Sequence, residues 1–108
     1  MSDRELLELA AKAAGMPTHT DGVGFVMAHY PSWNPLTDDG DALRLAVKCE
    51  MSLDLFDDLI RVGYTLPDES LRPADRTADV VESPKADPYA APRRAIVRAA
   101  AEIGRNMT

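Results

Sequence analysis

Four groups of residues in this chain have the types to do chemistry. Asp38, Asp39 and Asp41 gather three carboxylates, and hard divalent cations take several carboxylate oxygens. The spacing does not match an EF-hand loop, because Pro35 and Leu36 occupy the approach where oxygen ligands should alternate. The expected role is instead to open a helix, whose positive N-terminal end favours acids. Cys49 with His19 or His29 would supply a nucleophile and a base, but a thiolate needs an electropositive, partly exposed setting. Flanked by Val47 and Met51 in a helical stretch, Cys49 reads as a small buried hydrophobe. His19 and His29 stand apart in a segment broken by glycine and proline, and no zinc set is expected from them.

Tyr30 and Trp33, with Pro31 and Pro35, make an aromatic loop suited to receiving a peptide or stacking a base. Burial of the single Trp in the core is the simpler expectation. Arg94, Arg98 and Arg105 fall within about forty degrees of one another on a helical wheel. Their guanidinium forks suit phosphate or an acidic protein surface. Glu102, one turn from Arg98, is spaced to pair with it and leave the stripe as a solvated face. No nucleophile, base and orienting group come together anywhere, so a non-enzyme without cofactor or metal is expected.

The elements that must carry these residues begin with Ser2 and Glu5, whose capping-box spacing starts a helix. Leu6, Leu9, Ala10, Ala13 and Ala14 share one side of it, and Gly15 offers a left-handed stop. Residues 16–36 contain Pro17, Gly22, Gly24, Pro31 and Pro35 and read mainly as loop, with a short edge strand within Gly24–Tyr30. Thr37 caps a second helix, with Leu43, Ala46 and Val47 facing inward and Arg44 and Lys48 outward. Met51–Leu66 fits two templates. As a helix, its apolar residues fill half a wheel; as a hairpin, Met51, Leu53 and Leu55 and then Ile60, Val62 and Tyr64 alternate with polar residues around Asp57-Asp58. Residues 67–86 are polar and loop-rich, with Val80-Val81 as the one further strand. Asp87-Pro88, or Pro92 itself, opens the last helix, in which Ala95, Ile96, Ala99, Ala100 and Ile103 face inward up to Gly104.

At 108 residues the chain has room for one domain and one core. Cys49 is its only cysteine, so no internal disulfide forms. The N-terminal Met1-Ser2-Asp3-Arg4-Glu5 lacks the basic start of a secretory signal, no apolar run reaches the ~20 residues of a membrane span, and the expected compartment is the cytoplasm. A net charge of −6 argues against generic binding to nucleic acid or anionic membrane. That charge is uneven: acids predominate from Thr37 to Asp87, whereas Pro88–Thr108 holds Arg93, Arg94, Arg98 and Arg105 against Glu102 alone.

Three stretches together carry a resemblance. Glu5-Leu6, Leu9-Ala10, Ala13 and Gly15 form the first, Trp33-Asn34-Pro35-Leu36-Thr37-Asp38-Asp39-Gly40-Asp41-Ala42-Leu43 the second, and Asp87-Pro88 with Arg93-Arg94-Ala95-Ile96-Val97-Arg98-Ala99-Ala100-Ala101 the third. The chain resembles the phage ABA-sandwich family of small phage and prophage proteins over about two-thirds of its length. That resemblance implies a helix, a Trp-x-Pro loop, a second helix, a short strand meander and an alanine-rich last helix, and it tips Met51–Leu66 toward strands. The expected architecture is therefore a small single-domain α+β fold, with helices packed on a short antiparallel sheet of two to four strands. The expected function is that of a non-enzymatic accessory protein which binds a protein partner in the cytoplasm of an infected or lysogenic bacterium, in host takeover or anti-defence. The alternative is a nucleotide or nucleic-acid ligand on the arginine stripe, and a third reading is an acidic imitation of nucleic acid.

Overall fold

The computed structural model describes residues 2–16 and 33–107 with their side chains, and the backbone alone of 19–20 and 25–26. Tyr30, His29 and most of the expected strand within Gly24–Tyr30 lie outside the described residues. The elements run α1 (Asp3–Ala13), β1 (His19–Thr20), β2 (Phe25–Val26), α2 (Asp39–Lys48), β3 (Ser52–Leu55), β4 (Ile60–Thr65), α3 (Pro73–Arg76), β5 (Thr77–Glu82) and α4 (Ala90–Arg105). They form an α+β domain in which the helices pack on a three-stranded antiparallel sheet of order β3-β4-β5, while β1 and β2 pair separately. Among the described residues, no helix is long and apolar enough to cross a membrane.

The helix ends follow local chemistry. The Ser2 hydroxyl accepts the Glu5 amide at 3.2 Å and opens α1. Helix α1 closes with a left-handed Gly15 (φ 72), whose N–H donates to Lys12 while that of Met16 donates to Ala11. The same pair of bonds closes α2, from Glu50 to Val47 and from Met51 to Ala46, with Glu50 at φ 55 in the left-handed position. A Cβ in that region is strained, so Glu50→Gly is expected to raise stability by up to about 1 kcal/mol, read as a higher denaturant midpoint. At its start, α2 is capped by Asp38 and not by Thr37: the Asp38 carboxylate accepts the Asp41 amide at 2.8 Å.

Met51–Leu66 is a hairpin. Its register runs from Ser52 opposite Gly63 to Leu55 opposite Ile60, and the Phe56 N–H donates to the Leu59 carbonyl across Asp57-Asp58. The helical alternative loses because β4 also pairs with β5 along its whole length, giving its backbone partners on both sides. Strand β5 is longer than Val80-Val81 and occupies part of the stretch expected to be loop. Its composition looks polar because one side of the sheet is wet: Val80 and, less completely, Ala78 and Glu82 turn inward, while Thr77, Asp79 and Val81 are exposed.

Helix α4 lies at the centre, contacting α1, α2, β4 and β5. Ala95, Ile96, Ala99, Ala100 and Ile103 are buried as expected, and Ala91, Val97, Ala101 and Gly104 are buried too, so nearly the whole circumference is covered. Only the arginine side stays wet. Small residues on α1 and α4 let these helices approach until Gly104 meets the Leu9 carbonyl. Most of the buried side chains form one cluster, with Trp33, Leu36, Cys49 and Met51 packed at its margin, and Pro35 is fully enclosed.

Candidate functional site

The three acids at the start of α2 are already engaged by the protein. Asp38 holds the Asp41 amide, Asp41 accepts from the Asn34 amide at 2.9 Å and from Arg44 at 2.9 Å, and Asp39 pairs with Arg93 at 2.6 Å. Asn34 in turn accepts the Leu36 amide, and Arg93 donates to the Leu36 carbonyl at 2.9 Å. The cluster therefore fixes the Trp33–Thr37 turn between α2 and α4. Arg93 is the tie that sequence reasoning passed over.

The arginine stripe is exposed but occupied. Arg94 pairs with Asp3 of α1 at 3.2 Å, Arg105 with Glu102 at 3.2 Å, and Arg98 with Glu82 of β5 and the Val81 carbonyl. The expected Arg98–Glu102 pair does not form, because β5 brings a carboxylate to Arg98 from across the sheet and leaves Glu102 to Arg105. Each guanidinium fastens α4 to a neighbour or to itself, so the three do not converge on one ligand. With its side chain 43% exposed, the Arg98 pair is largely screened, and Arg98→Ala is expected to cost no more than about 1 kcal/mol in a denaturant melt.

Cys49 is the C-terminal cap of α2 and not a mid-helix residue. Burial pushes its thiol above the ordinary range, an effect only partly opposed by Lys48, which disfavours the thiolate a nucleophile needs. The side chains of His19 and His29 lie outside the described residues. Trp33 is half-buried against the core, so the aromatic loop is at least partly a packing element.

A different surface stands out, and it arises because α2 is rotated from the expected orientation. Ala42, Leu45 and Ala46 face the core, while Leu43 and Val47, expected inside, are 57% and 70% exposed. Both sets have helical spacing, but the small Ala42 and Ala46 let α2 lie closer to α4 than leucine and valine would. The displaced Leu43 lines a groove with Leu53 and Leu55 of β3, Tyr89, and Pro92 and Ile96 of α4, and Asp39 and Arg93 also line it. Leu55 is 61% exposed and Tyr89 72%. These apolar residues are neighbours, and clustered exposure of this kind marks interaction sites more often than scattered exposure does.

The groove encloses ≈ 200 Å³, below the about 300–1,000 Å³ of sites that take small ligands. It suits side chains of a larger partner. A wider hollow of ≈ 580 Å³ lies beside Pro67–Glu69 and Asn106–Met107, but Asp68 there already accepts from the Ser70 amide and hydroxyl. Comparison with family models, with curated proteins and with solved structures returns no match to this chain.

Proposed function

We propose that this protein is a non-catalytic binding module that engages a protein partner through the apolar groove between α2, β3 and α4. The observation that carries this reading is the exposure of Leu43, Leu55 and Tyr89 side by side around a cleft of ≈ 200 Å³, smaller than sites that bury drug-sized ligands. Exposed apolar contacts of this size supply the buried centre of an interface once water is excluded. The sequence resemblance to phage ABA-sandwich proteins supports placing this activity in the cytoplasm of an infected or lysogenic bacterium, acting on a host or phage protein in host takeover or anti-defence. The alternative ligand, a nucleotide or nucleic acid on Arg94, Arg98 and Arg105, is weakened by the carboxylate partner each arginine already holds.

The test compares proteins captured from bacterial lysate by the wild type and by a Leu43→Ser, Leu55→Ser double variant. Both positions are exposed, so the variant should fold with a stability within about 1 kcal/mol of the wild type. The expected result is that the variant loses proteins which the wild type retains. Identical capture by two equally folded proteins contradicts the reading.

A further inference from the structure

Resting on that docking reading, we infer that the groove's occupant is an extended segment with apolar residues at alternate positions and basic residues at the end that meets Asp57 and Asp58, added as a fourth strand along β3. Strand β3 is one edge of the sheet, and among the described residues no strand pairs with its outer side. The Phe56–Leu59 bond makes that a hydrogen-bonded pair, and along an antiparallel ladder such pairs alternate with non-bonded ones. Asp54 and Ser52 therefore turn their backbone groups toward Arg61 and Gly63 of β4, and Leu53 and Leu55 turn theirs toward the open edge. Those same two residues present their side chains to the groove. One stretch of chain thus offers N–H and C=O groups without a strand partner among the described residues, beside an apolar cleft, which is what strand addition uses for affinity and for side-chain selection.

Charge selects the kind of strand. The hairpin carries Asp54, Asp57 and Asp58 against Arg61, which reaches Asp54 only at 4.0 Å. Among the described residues no cation lies within ion-pair distance of Asp57 or Asp58. Positive charge at the end of an incoming strand that lies beside the β3–β4 turn is therefore favoured. A second copy of this chain fits less well, because it would bring Asp54 toward its own counterpart and set two chains of net charge −6 edge to edge. The other edge is partly taken, since Arg98 donates to the Val81 carbonyl of β5.

The experiment uses the whole protein and three synthetic peptides. The first alternates valine with serine and carries lysines at both ends; the second is the same peptide N-methylated at the amides that would face β3; the third has the same composition arranged as an amphipathic helix. Binding of the first, with the second and third weaker by about tenfold or more, is the expected result. An Asp57→Lys, Asp58→Lys variant should weaken the first peptide by a similar factor, and added salt should weaken it in the wild type but not in the variant. Equal binding of the methylated peptide, or stronger binding of the helical one, overturns strand addition while leaving the groove as a docking site. Failure of all three peptides also overturns it, and the lysate comparison then shows separately whether the groove binds anything. A dimer formed through this face that excludes the first peptide overturns it in favour of self-pairing.

Discussion

Gly104→Ala is expected to destabilise the protein by about 3 kcal/mol, the upper end of overpacking costs, although helix propensity alone points the other way. A Cβ built on Gly104 would collide with the Leu9 carbonyl oxygen and lie 2.8 Å from its carbon. Those are backbone atoms inside α1, so no rotamer change relieves the clash and the two helices must separate. Separation opens the packing between α1 and α4, where Ala10, Ala99 and Ala100 belong to the buried core. Placing alanine in a helix instead of glycine ordinarily gains up to about 1 kcal/mol, so the two effects differ in sign and a denaturant melt distinguishes them. A midpoint equal to or above that of the wild type would mean that α1 and α4 leave room for a methyl group between them.

Ile96→Ala is expected to cost about 2–5 kcal/mol, the range for truncating a buried isoleucine. Ile96 is 4% exposed on the central helix and also forms the floor of the groove. Its removal therefore creates a void beneath α2 and β3, and in a domain of ordinary stability that is a large share of the total. Arg98→Ala in the same melt is the control from the wet side of the helix. Equal losses for the two variants would show that α4 is rotated away from the orientation that buries Ile96 and leaves Arg98 in solvent.

The parts of the fold that sequence discloses are those governed by local chemistry. Ser2 with Glu5, Gly15, and the run Ala95, Ile96, Ala99, Ala100 and Ile103 each carry their signal within a few residues. What stayed hidden depends on partners distant in the chain. Periodicity left Met51–Leu66 open between helix and hairpin, and pairing with β5 decides it. Strand β5 was itself obscured because Thr77 and Asp79 sit on a solvent face. The end of α2 gave no glycine to mark it, since Glu50 takes the left-handed position.

The candidate site was least legible, for a related reason. The residues singled out for binding were aromatic or charged, yet Arg94, Arg98 and Arg105 are absorbed by ion pairs, Trp33 packs against the core, and Tyr30 lies outside the described residues. The groove is built from leucines that any pattern analysis assigns to the interior. A signal was present in α2: Ala42, Leu45 and Ala46 form a second stripe that competes with Leu43, Ala46 and Val47. Choosing between them requires knowing that the facing helix is alanine-rich and packs closely, which rewards the smaller side chains.

Amide chemical shifts of the labelled protein, followed while the lysine-ended valine–serine peptide is titrated in, test the docking surface residue by residue. The largest changes are expected on Leu53 to Phe56, Leu43 and Tyr89, with the amides of Leu53 and Leu55 most affected because their N–H groups face the open edge. Changes centred instead on Arg94, Arg98 and Arg105 would contradict docking in the groove and return the arginine face as the binding surface.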